Sequence, residues 1–166
     1  MKKLLVLFAL LLTGAAHALP LQFVVDARAN SSSGGEGLDT GLFFTTGDTI
    51  DLSVDPDDLW SAGALPRWSN ANGLTGDLLA TGSDESGQVA NTKIGTFFFN
   101  WTQGDLSAPY GSLVGKLGST FFLLGTSFNG AAPDTGNLLL YYWDSNNSDN
   151  SQSVTVTIED GRPAAA

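Results

Sequence analysis

The chain has 166 residues, no cysteine and a single histidine, and its formal net charge at pH 7 is −10. This acidity argues against nucleic-acid binding, because negative charge is repelled by phosphate backbones. Without cysteine the chain has no disulfide, no thiol nucleophile and no thiolate metal site, and the metal that suits its composition is an oxygen-ligated cation such as calcium.

The first 18 residues have the pattern of a secretory signal peptide. Met1–Lys3 is basic, Leu4–Leu12 is apolar, and Ala16–Ala18 has the small residues that precede a cleavage site. We expect cleavage after Ala18 and export to the periplasm or the extracellular medium. Cleavage also removes His17, so no Ser-His-Asp triad can form and we expect no enzyme. No later apolar run is long enough to span a membrane.

After residue 18 the chain consists of short runs of β-branched, aromatic and leucine residues separated by turn formers. Alternation of apolar and polar residues in Thr49–Val54 and Val154–Ile158 indicates strands with one buried face. The pattern predicts one all-β domain over residues 19–159, an antiparallel β-sandwich of the jelly-roll or galactose-binding-like type. The predicted strands are Gln22–Ala29, Gly41–Thr45, Thr49–Val54, Gly95–Trp101, Gly111–Leu117, Thr120–Leu124, Asn137–Trp143 and Ser153–Ile158.

The segments between these strands are rich in Gly, Ser, Asn and Asp. Ser31–Gly35 is predicted to be a flexible loop. Residues 60–91 form a longer polar region, which is typical of an excursion on the ligand side of a domain. Residues 160–166 are predicted to be a disordered tail.

A polar segment separates the last two predicted strands, which we interpret as a hairpin. Asn, Asp and Ser form turns through their own side chains, so the composition is also that of an ordinary turn. The alternative is a cation site, because Asp144 follows a strand directly, and Asp149 and Asn150 lie side by side before the next strand. Carboxylate, amide and carbonyl oxygens are the ligands that calcium prefers. The spacing is not that of an EF-hand, since the twelfth position from Asp144 is Thr155 rather than Glu.

Four segments, in the same order, resemble the PA-IL-type bacterial lectins, a family that binds galactose through calcium. They are "VVDARAN" followed by "TGLFFTTGDTIDLSV", then "WSAGALPRWS", "YGSLVGKLGS" and "GNLLLYYWDSNNSDNSQSVTVTI". The resemblance extends from about Val24 to Ile158. It implies a secreted, calcium-dependent carbohydrate-binding module in which sugar hydroxyls coordinate the bound ion.

The resemblance also implies the members of the site. Asp144 would contribute its carboxylate, Asp149 and Asn150 their side-chain oxygens, and Asn146 its backbone carbonyl. The carbonyl of Ala62, in the loop after the first tryptophan, would complete the share of the protein. Two sugar hydroxyls would fill the remaining positions and hydrogen-bond to the oxygens of Asp144, Asp149 and Asn150. The expected partner is a carbohydrate such as a galactoside.

The chain departs from the family at four places. The loop between Asp144 and Asp149 is about two residues shorter than in the best-known member. Gln152 stands where the motif has glycine, which strains the turn if that position needs a positive φ. Ala62 replaces an aromatic residue, which changes little for a ligand that acts through its backbone carbonyl. The sugar-contacting histidine of the family has no counterpart, so calcium binding carries over better than galactose specificity.

Two tryptophans of the polar region, Trp60 and Trp68, are candidates for stacking on the apolar face of a sugar. The competing interpretation is packing in the core, where most tryptophans of small sandwiches lie. The alternative function is that of an extracellular structural or adhesive domain, in which calcium only rigidifies the polar segment or is absent. A homo-oligomer is compatible with the resemblance, since lectins commonly gain avidity by presenting several weak sites together.

Overall fold

The computed structural model describes residues 19–159, so the predicted signal peptide and C-terminal tail lie outside the described residues. Within this range no helix is long and apolar enough to cross a membrane. A 3-10 turn covers Asn147–Asp149. The strands are β1 Leu21–Asp26, β2 Leu38–Phe44, β3 Thr49–Val54, β4 Trp60–Ser61, β5 Trp68–Ser69, β6 Leu78–Leu79, β7 Lys93–Gly95, β8 Asn100–Gln103, β9 Leu106–Pro109, β10 Leu113–Leu117, β11 Thr120–Leu123, β12 Ser127–Ala131, β13 Gly136–Tyr142 and β14 Ser153–Ile158.

Two four-stranded sheets form the sandwich and confirm the predicted fold class. Sheet one has the strand order β1-β14-β3-β12, and sheet two has the order β11-β10-β13-β2. The strand pairs within both sheets are antiparallel. β3 and β14 have the bounds predicted from their alternating patterns, because strict alternation marks a strand with one buried face.

The main core lies between the two sheets. In β14 the buried residues Val154, Val156 and Ile158 alternate with half-buried polar ones. On the facing sheet, Leu138 and Leu140 of β13 alternate in the same way. Burial of such side chains contributes about 25 cal/mol per Å² of apolar surface, which is the main favourable term in folding.

A hairpin of β8 and β9 covers part of the outer face of sheet two. Ala108 of β9 packs with Val114 of β10 and with Trp143 in a second, smaller core, and all three are fully buried. The indole Nε1 of Trp143 donates a hydrogen bond to the carbonyl of Trp101 at 2.9 Å. Trp143 therefore anchors the end of β13, and Asp144 follows a rigid position.

Two sequence predictions about strand pairing and strand bounds are wrong. The last two strands do not form a hairpin, because β13 belongs to sheet two and β14 to sheet one. The predicted strand Gly95–Trp101 is interrupted, since β7 ends at Gly95 and β8 begins at Asn100. The polar region of residues 60–91, to which the sequence assigned no strand, contains the short ribbon β4–β5 and the strand β6. Pairs of two residues are too short to show an alternating pattern.

Candidate functional site

The polar segment of residues 143–152 connects the two sheets at one end of the sandwich. The side chain of Ser32 fixes its beginning: the Asp144 N–H donates to Ser32 Oγ at 3.1 Å, and Ser32 Oγ donates to the Asp144 carbonyl at 3.0 Å. Ser33 Oγ donates to the carbonyl of Ser145 at 2.7 Å. Ser31 is fully buried and bridges to Tyr142. These serines are therefore held against the site and do not form the flexible loop that the sequence predicts.

Asp144 is a buried carboxylate, only 4% exposed. Its Oδ1 accepts a hydrogen bond from the Ser145 N–H at 2.6 Å. Burial raises the pKa of the Asp144 carboxyl above its usual range, and the negative charge of Asp149 adds to the effect. The Ser145 N–H, the Asn150 side chain and the Asn146 N–H oppose that rise in pKa. The protein thus places two carboxylates close enough to interact, one of them largely out of solvent.

Tyr142, the residue two positions before Asp144, is fully buried. Within the described residues its hydroxyl has no hydrogen-bond partner. Burial raises the pKa of the Tyr142 hydroxyl well above its usual value, and the charges of Asp144 and Asp149 raise it further. A neutral, buried phenol therefore lies within electrostatic range of the two acids.

Asn150 has an amide whose orientation follows from its contacts. Its Nδ2 donates to the carbonyl of Ala27 at 3.0 Å, and the residue is 4% exposed. Its Oδ1 is buried and accepts no hydrogen bond from the described residues. A buried amide oxygen without a donor costs about 1–3 kcal/mol, so this oxygen is suited to a cation or another donor.

Ala62 is brought to the site by a pair of backbone hydrogen bonds between two distant segments. The Ser61 N–H donates to the Ser151 carbonyl, and the Ser151 N–H donates to the Ser61 carbonyl, both at 3.0 Å. The next residue after Ala62 is Gly63, and a Cβ added to Gly63 would lie 2.5 Å from Asp149 Oδ2. The loop after β4 is therefore in contact with the Asp149 carboxylate.

A cavity of about 220 Å³ lies at this end of the sandwich. Ala62, Asp144, Asn146 and Asp149, which the sequence predicted as site residues, all line it. Asn150 lies buried beside this wall, and its side chain lowers the pKa of Asp144. In Asn146 the side-chain oxygen accepts from the Ser148 N–H at 3.1 Å, as a cap of the 3-10 turn. This use of the side chain is consistent with the prediction that Asn146 acts through its backbone carbonyl.

Another part of the cavity wall consists of residues that the sequence analysis did not single out. They are Arg67, Leu74, Phe98 and Tyr110. The rings of Phe98 and Tyr110 meet edge to face with centroids 5.0 Å apart. Tyr110 Oη is 3.0 Å from Ser145 Oγ, so this wall is hydrogen-bonded to the polar segment. A signal existed in the run of three phenylalanines at residues 97–99, which the prediction placed in a strand.

The two predicted stacking residues are placed elsewhere. Trp60 is fully buried and packs edge to face on Tyr142, with ring centroids 4.5 Å apart. Its Nε1 donates to the Gly111 carbonyl at 2.8 Å. Trp68 is half-buried and borders a separate cavity of about 190 Å³. Neither tryptophan lines the cavity of Asp144. The burial of Trp60 agrees with the interpretation that it packs in the core.

The turn before β14 has a positive φ at Gln152, the position where the related motif has glycine. Gln152 has a φ of 69°, a left-handed conformation that favours glycine. Its carbonyl accepts from the Ala27 N–H at 2.9 Å, which ties the turn to the segment that also holds Asn150. The turn therefore keeps the backbone that glycine would adopt, at a local conformational cost.

The oxygen atoms that could coordinate a cation at this cavity include few charged groups. Among residues 19–159 there is no group of three or more His, Cys, Asp or Glu side chains arranged to hold a metal ion. A cation at this cavity would have two carboxylates, amide oxygens and backbone carbonyls as ligands. That set is unsuited to zinc and compatible with calcium, which takes neutral oxygens together with carboxylates.

Comparison with known proteins supports the fold. A solved structure described as "EclA N-terminal domain; PllA-like lectin" matches with a TM-score of 0.54 and 18% sequence identity, over 84% of this chain and 96% of that chain. At this identity the likeness shows a shared fold. No protein-family model matches the chain. No curated protein matches it either.

Proposed function

We propose that this protein is an exported, calcium-dependent carbohydrate-binding domain whose site is the cavity between Asp144 and Tyr110. The lectin fold shared with the PllA-like domain supports carbohydrate binding and a non-enzymatic role. Calcium dependence and export rest on the residues of this chain: the polar segment for the first, and the secretory pattern of its first 18 residues for the second.

The observation that carries the proposal is the convergence of oxygen donors from separate segments on one cavity. Ala62 comes from the loop after β4, and Asp144, Asn146 and Asp149 come from the connection between the sheets. The Oδ1 of Asn150 adds a further oxygen ligand, since it is buried and accepts no hydrogen bond from the described residues. A buried carboxylate that lies near a second, exposed carboxylate is costly, as is a buried amide oxygen without a hydrogen-bond donor, and a divalent cation would offset both costs.

In this proposal Asp144, Asp149 and Asn150 hold the ion with side-chain oxygens, and Asn146 and Ala62 hold it with backbone carbonyls. When bound, calcium supplies positive charge and coordination positions that accept two neutral hydroxyl oxygens. The carboxylates of Asp144 and Asp149 also accept hydrogen bonds from those hydroxyls, which orients the sugar ring.

The remaining walls fit one sugar residue. The cavity of 220 Å³ is smaller than the roughly 300–1,000 Å³ of pockets for drug-sized ligands, so it suits a monosaccharide or the end of a glycan chain. Phe98 and Tyr110 offer aromatic surface to the apolar face of such a ring. Hydroxyl recognition on one side and aromatic contact on the other is a combination suited to carbohydrates.

The test measures calcium and sugar binding separately. Calcium is titrated into chelator-treated protein by calorimetry, and retention on immobilised monosaccharides, including galactose, is then measured with and without chelator. The proposal predicts saturable calcium binding, and retention that chelator abolishes. Asp144→Ala should lose both, while Asp105→Asn should keep both, because Asp105 is an exposed acid at the β8–β9 turn.

The same experiment separates a lectin from a structural domain. Calcium stabilises the folded state in both cases, by mass action. If calcium binds but no sugar is retained from a broad panel, the structural or adhesive alternative is correct. If chelator changes neither retention nor stability, the calcium site does not exist.

A further inference from the structure

The cavity contains one basic side chain that has no acidic partner. Arg67 lines the same cavity as the carboxylates of Asp144 and Asp149. Its guanidinium carbon lies 5.0 Å from the centroid of the Phe98 ring, so the planar group rests on an aromatic surface. Within residues 19–159 the ion pair present joins Lys93 and Asp77, and Arg67 takes part in none.

The backbone holds Arg67 in this position. Its carbonyl accepts from the Ala62 N–H at 3.0 Å, and Arg67 also forms a bridge with Gly95. The same ribbon therefore carries a proposed calcium ligand and the guanidinium. The Arg67 guanidinium carries five N–H donors in a planar fork. This geometry is suited to binding a carboxylate or sulfate group of a ligand.

The charge balance depends on calcium. Without an ion, Asp144 and Asp149 outweigh Arg67, and the cavity repels anions. One bound divalent cation neutralises the two carboxylates, so the net charge of the cavity becomes positive because of the Arg67 guanidinium. An anionic ligand is thus favoured only in the calcium-loaded state, although the chain as a whole carries a charge of −10.

We infer that the preferred ligand is an acidic sugar, a uronic acid or a sugar with an equivalent anionic substituent, and that Arg67 determines this preference. The inference rests on the proposed function, since it names the ligand class of the same site. Ring hydroxyls would meet the oxygen-donor wall, and the anionic group would meet the guanidinium on the Phe98 side.

Matched ligand pairs test this inference. Galactose, glucose and mannose are each compared with their uronic acid, which differs at C6 alone, and with the methyl ester of that acid, which has no charge. Binding is measured by calorimetry with calcium present. For the pair that binds, the uronate should bind about 1.5–5 times more tightly than the neutral sugar and the ester, the range expected for an ionic contact at an exposed site. The preference should shrink at high salt.

Two variants test whether Arg67 causes the preference for the uronates. Arg67→Gln should bring the ratio of uronate affinity to neutral-sugar affinity close to one, and Arg67→Lys should restore part of the preference. Equal or weaker binding of the uronates by the unmodified protein would overturn this inference and leave the proposed function intact. A preference that persists in Arg67→Gln would overturn the role of Arg67, because the carboxylate would then be acting on calcium. If none of these sugars binds, the proposed function fails together with the inference.

Discussion

Replacing Asp144 with asparagine should have opposite effects on stability with and without calcium. Asn has the same shape and keeps an oxygen to accept from the Ser145 N–H, which Asp144 accepts at 2.6 Å. The change removes a buried negative charge that burial and Asp149 make unfavourable. Without divalent ions, Asp144→Asn should therefore be more stable than the unmodified protein at pH 7.

With calcium the order should reverse. At a calcium concentration 100 times the dissociation constant, the unmodified protein gains about 2.7 kcal/mol, or roughly 5–10 °C in melting temperature. Loss of one of two charged ligands should weaken binding about 100-fold, so the variant gains only about 0.4 kcal/mol at the same concentration.

Thermal melts in chelator and in excess calcium measure both effects. Asp105→Asn is the matched control, because it makes the same change of charge at an exposed acid of the β8–β9 turn. It should respond to calcium as the unmodified protein does. An Asp144→Asn variant that is stabilised by calcium as strongly as the control, or is less stable than the unmodified protein in chelator, would refute the reasoning.

Three further predictions concern the backbone and pH. Gln152→Gly should raise the free energy of unfolding by about 0.5–1 kcal/mol in denaturant titrations, because the φ of 69° is relieved; no gain would contradict the strain. Gly63→Ala should weaken calcium binding in calorimetry without altering a ligand, since its Cβ would lie 2.5 Å from Asp149 Oδ2; unchanged affinity would mean that Asp149 does not bind the ion. Calcium affinity should fall as the pH is lowered through the raised pKa of Asp144, because the protonated carboxyl no longer binds the ion. Over the same pH range the ion-free protein should become more stable, down to the unfolded-state pKa of Asp144 near 3.8, because protonation removes the buried charge. A calcium affinity that does not change with pH in this range would contradict the role of Asp144.

The sandwich was predictable because alternation records burial directly. Thr49–Val54 and Ser153–Ile158 have one apolar face each, and the structure gives both strands these bounds. The partners of a strand are not recorded in this way. Proximity along the chain suggested that β13 and β14 pair, yet they belong to different sheets, since the pairing depends on contacts with β1, β3 and β10.

The polar half of the site was predictable, and the aromatic half was not. Asp144, Asp149 and Asn150 lie within seven residues, where the order of motifs identifies them as a group. Phe98 and Tyr110 belong to separate segments, and only the folded chain shows that they border the same cavity. Trp60 illustrates the opposite error, because a polar neighbourhood in sequence concealed a fully buried side chain.

The most direct test of the central claim is a crystal structure of the protein soaked with calcium and with the sugar that binds it best. We expect an anomalous calcium peak inside the cavity of Asp144, Asp149 and Asn150, with the sugar in contact with it and facing Phe98 and Tyr110. Sugar density at another surface, or a cavity that holds sugar without calcium, would contradict the account.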